Sequence, residues 1–261
     1  MSTSALQNIP NDMTEAEWQA RVELAACYQL TAMYGWTDMV GTHISARIPG
    51  PEDHFLLNPY GMLFEEITAS SLIKVDMEGN VIGDSDYPTN PAGFVIHSAI
   101  HMHFPELTCV MHTHTPAGCA VGSQEHGLLP LNQHSLLIQD FISYHEFEGA
   151  ATNLGERERI IRDFGEAHKR ILILNNHGLL TVGKSMGEAF MWMYRIEKSC
   201  RYQLAAMTGG AQLHYPDKAT QAHAVEQGRK ILAEGGFAEC GKKEWPALLR
   251  QLERAGSNYA T

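Results

Sequence analysis

The chain has 261 residues, of which 44% are hydrophobic and 19% are charged, and 30 acidic against 19 basic side chains give a formal net charge of -11. This acidic balance argues against nucleic acid or an anionic membrane surface as a partner. The five cysteines are widely spaced and include no CxxC pair, which indicates a reducing compartment. Residues 1–11 have no cationic patch or apolar region, so they do not resemble a signal peptide. No apolar run is long enough for a membrane span, and the sequence therefore predicts a cytoplasmic protein.

The N-terminal half of the chain predicts one helix followed by short strands. Thr14 and Glu17 form a capping-box pattern ahead of apolar positions at helical spacing, so a helix is expected over residues 14–34. Turns with proline or glycine separate the strand-like runs that follow, which cover residues 41–48, 54–58, 71–75 and 81–83. Pro91 suits the first turn of a helix that reaches about His103.

The C-terminal half alternates between strands and helices. Expected strands cover residues 107–114, 141–147, 171–175 and 179–182, and expected helices cover 117–121, 155–170 and 185–207. A polar and mainly helical tail follows. Because no linker or internal repeat interrupts this alternation, the sequence predicts an α/β fold in one domain, 1–261, with a core of about 14–210 and a helical C-terminal extension, 211–261.

The sharpest chemical feature is the pair His112 and His114, which lies at the end of a predicted apolar strand. Residues two apart in a strand point to the same face, so both imidazoles can converge on one metal ion. A His-x-His pair alone is a weak signal, since two histidines at a strand end are common without a metal. Thr113 or a nearby carbonyl is a candidate for orienting a ring nitrogen.

A third candidate ligand is His177, which follows the apolar strand 171–175 and precedes Gly178. A buried strand that ends in a polar tip delivers a side chain to the edge of a sheet, and glycine lets the chain turn tightly there. Three neutral imidazoles with an open coordination position are typical of a catalytic metal site. The sequence therefore predicts a divalent metal site at His112, His114 and His177.

These motifs, taken in order, resemble the class II aldolase/adducin family, and the chain looks closest to its adducin-like bacterial branch. The resemblance runs from residue 41 through the long helix at 185–207, and the segments that carry it are 41–45, 58–61, 67–68, 90–97, 112–114 and 176–179. It implies a three-layer αβα sandwich around a mostly antiparallel central sheet. It also implies a metal-dependent lyase with zinc, or with manganese or iron, and a homotetramer with active sites between subunits.

The chain departs from the sugar-phosphate aldolases of that family at the start of the helix around His97. Aligned on residues 94–97, the family's serine pair and catalytic glutamate correspond to Pro91, Ala92 and Gly93, and a phosphate-side asparagine corresponds to His43. Glycine can neither transfer a proton nor bind metal, and a phosphate needs several hydrogen-bond donors. These differences favour a small, unphosphorylated hydroxy-carbonyl or hydroxy-acid substrate.

The residue that replaces the missing acid/base is left open among several candidates. The resemblance places His134 near the position where family aldolases present a tyrosine from a neighbouring subunit, and histidine titrates near neutral pH. Tyr215 corresponds to a C-terminal tyrosine that reaches a neighbouring pocket in some relatives. His145 and His43 are alternatives. Each of these side chains could instead be an ordinary loop or packing residue without a role in catalysis.

The predicted substrate pocket is built from residues around the metal site. His43, Tyr60, Gly61 and Gly93 are its candidate substrate-binding residues. His97 and His101 share one helix face, which could also suit a metal, but His97 is expected to pack or hydrogen-bond behind the site, and His101 and His103 are expected to be helix-end residues.

Three functions follow in order of preference. The first is a metal-dependent lyase that acts by retro-aldol cleavage or decarboxylation, with the ion as Lewis acid. The second is an Fe(II)-dependent oxygenase of an aromatic 2-oxo or 2-hydroxy acid, although iron sites of that kind usually include a carboxylate ligand. The third is a non-enzymatic, adducin-like assembly protein. Retention of three metal-binding histidines favours an enzyme acting on a small molecule.

Overall fold

Helices and strands alternate along the chain in a computed structural model that describes residues 9–10, 13–50, 53–83, 85–150 and 153–261. The helices are α1 (Glu15–Met33), α2 (Pro91–His103), α3 (Pro116–Gly122), α4 (Gln133–Ile138), α5 (Glu156–Phe164), α6 (Met186–Met207), α7 (Lys218–Leu232) and α8 (Glu244–Arg254). The strands are β1 (His43–Arg47), β2 (Phe55–Leu57), β3 (Ile73–Val75), β4 (Val81–Ile82), β5 (Cys109–Thr113), β6 (Ile142–His145), β7 (Ile171–Leu174) and β8 (Gly178–Gly183).

Side-chain caps determine where the two long helices begin. The Thr14 hydroxyl accepts a hydrogen bond from the backbone N–H of Glu17 at 3.1 Å, which starts α1 at the predicted place. The Glu17 carboxylate does not complete a capping box, because it pairs with Arg21 and Lys74, each at 3.0 Å. Ser185 caps α6 by accepting from the N–H of Glu188 at 3.1 Å.

All eight strands belong to one sheet with the order β4-β3-β2-β1-β5-β8-β7-β6. Every pairing is antiparallel except that of β6 with β7. The prediction of a mostly antiparallel central sheet is therefore confirmed. Strand β5 lies inside the sheet, where His112 faces His43 of β1 on one side and Leu180 of β8 on the other.

Helices cover both faces of this sheet. Helices α1 and α6 pack on one face with Ile173 and Leu179 in the largest apolar core. Helices α2 and α5 cover the other face, where their apolar side chains pack on Leu172 and Leu180. Successive residues of β7 and β8 thus point to opposite faces of the sheet, as expected for strands that are buried on both faces. Burial of each such leucine or isoleucine side chain stabilises the folded state by about 1.5–3 kcal/mol. With helices on both faces of the sheet, the predicted three-layer αβα architecture is confirmed.

One helix is shorter than the sequence predicts. A helix was expected over residues 155–170, but α5 ends at Phe164. Gly165 follows with a φ of 81°, in the left-handed region that glycine enters without a steric cost. The charged residues beyond Gly165 form turns that lead into β7.

The tail after α6 is helical, as predicted, and its helices α7 and α8 pack back onto the rest of the chain. Gly228 of α7 lies so close to α4 that a Cβ atom there would stand 2.0 Å from the carbonyl oxygen of Leu137. The chain end is held by backbone hydrogen bonds from Ala69 to the Tyr259 carbonyl and from Ser70 to the Thr261 carbonyl, both 2.9 Å long. Among the described residues, no helix combines the length and apolarity that a membrane crossing requires.

Candidate metal centre

His112 and His114 lie where the central strand β5 ends. His112 is 1% exposed and lies near the end of β5, where it pairs with His43 of β1 and Leu180 of β8. His114 follows the strand directly and is partly exposed. Their Nε2 atoms are 2.9 Å apart. The expected convergence of two imidazoles, two residues apart in sequence, is thus present in the structure.

His177 reaches the same point from the turn between β7 and β8. Asn176 has a φ of 55°, and the N–H of His177 donates to the Leu174 carbonyl at 3.1 Å, which closes the turn tightly. Gly178 is needed next, because a Cβ atom there would lie 2.5 Å from the carbonyl oxygen of Thr113. One ring nitrogen from each of the three histidines lies within 4.8 Å of the other two.

Hydrogen bonds to the outer ring nitrogens orient two of the three imidazoles. Nδ1 of His112 donates to the Leu179 carbonyl at 3.0 Å, and Nδ1 of His114 lies 2.9 Å from the carboxylate of Asp38. With the proton on Nδ1, each Nε2 carries the lone pair and faces the centre of the cluster. This donor set fits a divalent metal ion such as zinc.

Asp38 was not identified from the sequence, since it lies in a loop without a pattern that marks it. Of the two expected orienting groups, the carbonyl is present as that of Leu179. Thr113 instead directs its hydroxyl to the sulfur of Met193 at 3.2 Å, on the opposite side of the strand.

Two of the three histidines, His112 and His177, are held in the neutral form that binds metal. Burial, with a smaller effect of the neighbouring His43, lowers the pKa of His112 well below its ordinary value. Burial also lowers the pKa of His177 to about 4, with His114 as the next cause. At neutral pH, metal therefore does not have to displace a proton from either ring.

His43 and Gly93 lie together beside the three histidines. The His43 ring centroid is 5.1 Å from that of His112, and the side chain is 3% exposed. A Cβ atom on Gly93 would stand 2.7 Å from Cδ2 and 3.0 Å from Nε2 of His43. A larger residue at position 93 would displace the His43 ring, so the histidine at 43 requires a glycine at 93.

The other predicted pocket residues lie in the turn after β2. Tyr60 is 40% exposed, and its N–H donates to the Pro88 carbonyl at 3.2 Å. Gly61 has a φ of 118° and faces the ring of Tyr87. A further exposed aromatic residue, Phe147, lies 6.4 Å from the His177 ring and was not predicted.

The two predicted catalytic residues lie in other parts of the structure. His134 begins α4 and packs on the ring of Tyr202 at 5.1 Å. Burial, followed by the charges of Arg195 and Lys198, lowers its pKa. Tyr215 is 42% exposed in the segment between α6 and α7. Within the described part of this one chain, neither residue has a described contact with the three metal histidines.

Of the remaining histidines, His145 packs against α5, and His97 and His101 belong to α2. Nδ1 of the buried His145 is 2.7 Å from the Asp163 carboxylate, and its Nε2 is 3.6 Å from that of Glu156. His97 hydrogen-bonds the His43 ring at 2.7 Å from behind, as expected. His101 is fully buried one helical turn later.

Comparisons with known proteins agree with the motifs and the geometry. Residues 22–204 match the model of the family described as "Class II Aldolase and Adducin N-terminal domain". A candidate class 2 aldolase protein from Caulobacter vibrioides is 49% identical over 97% of this chain and 96% of its own length.

Two solved structures share the fold over nearly the whole chain. An aldolase II superfamily protein from Pseudomonas syringae has a TM-score of 0.90 at 45% identity, with 96% of this chain and 98% of that chain covered. L-fuculose 1-phosphate aldolase from Glaciozyma antarctica has a TM-score of 0.78 at 30% identity, with 98% of each chain covered.

Proposed function

The chain belongs to the class II aldolase and adducin family, and from this premise we propose that it is a metal-dependent lyase acting on a small, unphosphorylated hydroxy-carbonyl or hydroxy-acid compound. The observation that carries the proposal is the convergence of three imidazoles, two of them oriented by hydrogen bonds, with one ring nitrogen from each within 4.8 Å of the other two. Cleavage of a carbon–carbon bond by retro-aldol reaction or decarboxylation is the reaction class.

His112, His114 and His177 would hold a divalent ion, with zinc as the first choice and manganese or iron as alternatives. When bound, such an ion supplies Lewis-acid stabilisation of negative charge on substrate oxygens. The protein's own contribution is to keep His112 and His177 neutral through burial, and to orient His112 and His114 through the acceptors Leu179 and Asp38.

Substrate contacts are proposed for residues near the three histidines. The buried ring of His43 lies beside Gly93, which has no side chain. Tyr60 and Gly61 are proposed as part of the pocket wall, and the exposed ring of Phe147 extends that wall next to His177. This set contains no lysine or arginine, which supports an unphosphorylated substrate, because phosphate requires several strong donors.

The proton-transfer step is proposed for a neighbouring subunit's copy of His134, with a contribution from Tyr215. His134 packs on Tyr202 and Tyr215 is 42% exposed, and in the described part of the chain neither has a described contact with His112, His114 or His177. A homotetramer with active sites between subunits would bring these residues to a neighbouring site. A cytoplasmic location is proposed as well, and it is supported by the free state of all five cysteines.

Metal content tests the proposal directly. Protein purified without a histidine tag or added metal is compared by elemental analysis with His112→Ala/His114→Ala and with the control His126→Ala/His214→Ala, which removes two exposed imidazoles elsewhere. We expect about one metal per chain in the wild type and the control and none in the first variant. All three proteins must show the same circular dichroism spectrum.

The identity of the metal and a substrate panel decide the reaction. Zinc or manganese together with release of an aldehyde or carbon dioxide from a hydroxy acid would support a lyase. Iron together with oxygen uptake in the presence of an aromatic 2-oxo acid would replace the lyase by an oxygenase. Wild-type protein that stays empty after metal is supplied would overturn the proposal in favour of an adducin-like assembly role.

A further inference from the structure

A buried carboxylate, that of Glu197 in α6, lies next to the segment that carries His114. Glu197 is 2% exposed. Its Oε2 accepts a hydrogen bond from the hydroxyl of Thr115 at 2.5 Å, and its Oε1 accepts one from Nε of Arg201 at 2.9 Å. Burial of a carboxylate costs free energy unless the group is paired and hydrogen-bonded. Glu197 meets this condition by joining α6 to the residue directly after His114.

Helix α6 supports the back of the ligand-bearing segment at two successive points. Side chains in an extended segment alternate between two faces, so the residues next to the candidate ligands point away from the metal centre. The hydroxyl of Thr113 meets the sulfur of Met193, and the hydroxyl of Thr115, whose backbone is still extended, meets Glu197. Met193 and Glu197 are four residues apart and therefore share one face of the helix.

The contact with Glu197 also determines how α3 begins. Thr115 is the N-cap residue of α3, and its Oγ1 accepts a hydrogen bond from the N–H of Gly118 at 3.2 Å. A hydroxyl has a single proton. Because that proton is donated to Glu197, the lone pairs of the same oxygen are left for the N–H at the helix start. Glu197 thus fixes the side-chain orientation in which Thr115 caps α3.

Helix α3 in turn holds the turn that carries His177. The Sγ of Cys119 donates to the carbonyl of His177 at 3.0 Å. At the end of the helix, the carbonyl of Gly122 accepts a hydrogen bond from the N–H of Asn176 at 2.9 Å. Since α3 begins two residues after His114, this short helix connects the backbones of two of the three candidate ligands.

We propose that Glu197 is a positioning residue of the metal centre: it anchors α3 through Thr115, and α3 sets the spacing between His114 and His177. This inference rests on the metal-binding role proposed above for the two histidines. Arg201 keeps the buried carboxylate paired, because removal of one partner leaves an uncompensated charge.

Zinc affinity, measured by competition with a chromophoric chelator, tests this role without a substrate. Glu197→Ala removes the anchor, and we expect the dissociation constant for zinc to rise about tenfold relative to wild type. Glu197→Gln keeps an oxygen that accepts from Thr115, while the side chain of Arg201, 58% exposed, can turn to solvent. This conservative variant should therefore recover most of the wild-type affinity.

The matched control is Glu188→Ala, which removes another α6 carboxylate that pairs with an arginine, Arg170 at 2.7 Å. Glu188 accepts from the N–H of Lys184, at the opposite end of β8 from His177. The control should lower stability and leave zinc affinity unchanged. Equal losses of affinity in Glu188→Ala and Glu197→Ala, or wild-type affinity in Glu197→Ala, would overturn the proposal. A loss in Glu197→Gln as large as in Glu197→Ala would overturn the route through Thr115.

Amide hydrogen exchange of metal-free protein reports on the anchor directly. The N–H of Gly118 bonds Thr115 and that of Asn176 bonds Gly122, so both should exchange faster in Glu197→Ala than in wild type. Both should stay near wild-type rates in Glu188→Ala. Wild-type rates at both amides in Glu197→Ala would overturn the anchoring role.

A second variant keeps the proposal testable if Glu197→Ala does not fold. Thr115→Val removes the hydroxyl and keeps the shape of the side chain, so it should raise the dissociation constant for zinc and speed exchange at Asn176. Wild-type behaviour in both measurements would overturn the proposal. Failure of zinc to bind wild-type protein would instead reject the proposed function, while exchange in metal-free protein still tests the anchor.

Discussion

The carboxylate of Asp38 lies 2.9 Å from Nδ1 of His114, although the two residues are 76 positions apart in the chain. The contact orients His114, which is the more exposed of the two histidines, with a side chain 23% exposed. His112 needs no such partner, because the strand itself supplies the Leu179 carbonyl. Asp38 therefore orients His114 from a loop, whereas the sheet itself orients His112.

Removal of this carboxylate should weaken metal binding without affecting the fold. We expect Asp38→Ala to raise the dissociation constant for zinc about 10- to 100-fold, because the His114 ring loses its orienting acceptor. Competition with a chromophoric chelator measures this constant. Since the Asp38 side chain is 54% exposed, the free energy of unfolding of metal-free protein should change by less than about 0.5 kcal/mol. Asp53→Ala is the control, because it removes the same charge from an exposed side chain that pairs with Arg47, and it should leave zinc affinity unchanged. An equal loss of zinc affinity in both variants would contradict the orienting role of Asp38.

The close approach of Gly93 to His43 predicts a non-additive pair of substitutions. Gly93→Ala places a Cβ atom 2.7 Å from the His43 ring and should lower the free energy of unfolding by about 1–3 kcal/mol. In the presence of His43→Ala, the same change should cost much less, because the ring is gone. Urea denaturation of the four proteins gives the coupling energy. Gly155→Ala, where the nearest atom belongs to an exposed asparagine side chain at 3.2 Å, is the control; additive effects at 43 and 93 would show that the ring moves aside freely.

Local patterns account for most of what the sequence predicts correctly. The capping residue Thr14, the Pro91 helix start and the period-two apolar strands depend on neighbours in sequence, so α1, α2 and the central strands were located to within a few residues. The convergence of His112, His114 and His177 could be predicted because two lie two apart at the end of a strand and the third follows an apolar strand. Asp38 and the His43–Gly93 contact join segments whose approach depends on loop paths, and no periodicity marks them.

Boundaries failed where two local signals compete. The charged pattern after Phe164 continues at helical spacing, but Gly165 stops the helix, and the sequence alone does not rank the two. The assignment of His134 and Tyr215 to catalysis and the single-domain division stay predictions, because each depends on contacts between chains or on independent folding.

The docking of α7 on α4 depends on a glycine. A Cβ atom at position 228 would lie 2.0 Å from a backbone oxygen, that of Leu137, which cannot move aside as a side chain would. We expect Gly228→Ala to loosen α7 and to make the chain after α6 sensitive to limited proteolysis, with a loss of roughly 1–3 kcal/mol in the free energy of unfolding. Gln227→Ala, on the exposed side of the same helix, should be cut no faster than wild type. Resistance of Gly228→Ala to protease would mean that α7 shifts without detaching.

The buried histidines predict that metal-free protein loses stability as the pH falls from 6.5. Burial lowers the pKa of His43 and of His101 from 6.5 to about 3 and that of His177 to about 4. Between 6.5 and those values the unfolded chain binds protons that the folded chain does not, so their contribution is complete above pH 6.5 and decreases as the pH falls. Each such histidine contributes up to about 1.4 kcal/mol per pH unit to the slope.

Urea denaturation in the presence of a chelator, between pH 7 and pH 5, measures this slope. His101→Asn removes one buried imidazole, so its stability should fall less steeply than that of wild type, by up to about 1.4 kcal/mol per pH unit. His126→Asn removes an exposed imidazole and should keep the wild-type slope. Equal slopes in all three proteins would mean that His101 takes up its proton in the folded state, and therefore that water or a local movement reaches the interior of the β1–α2 contact.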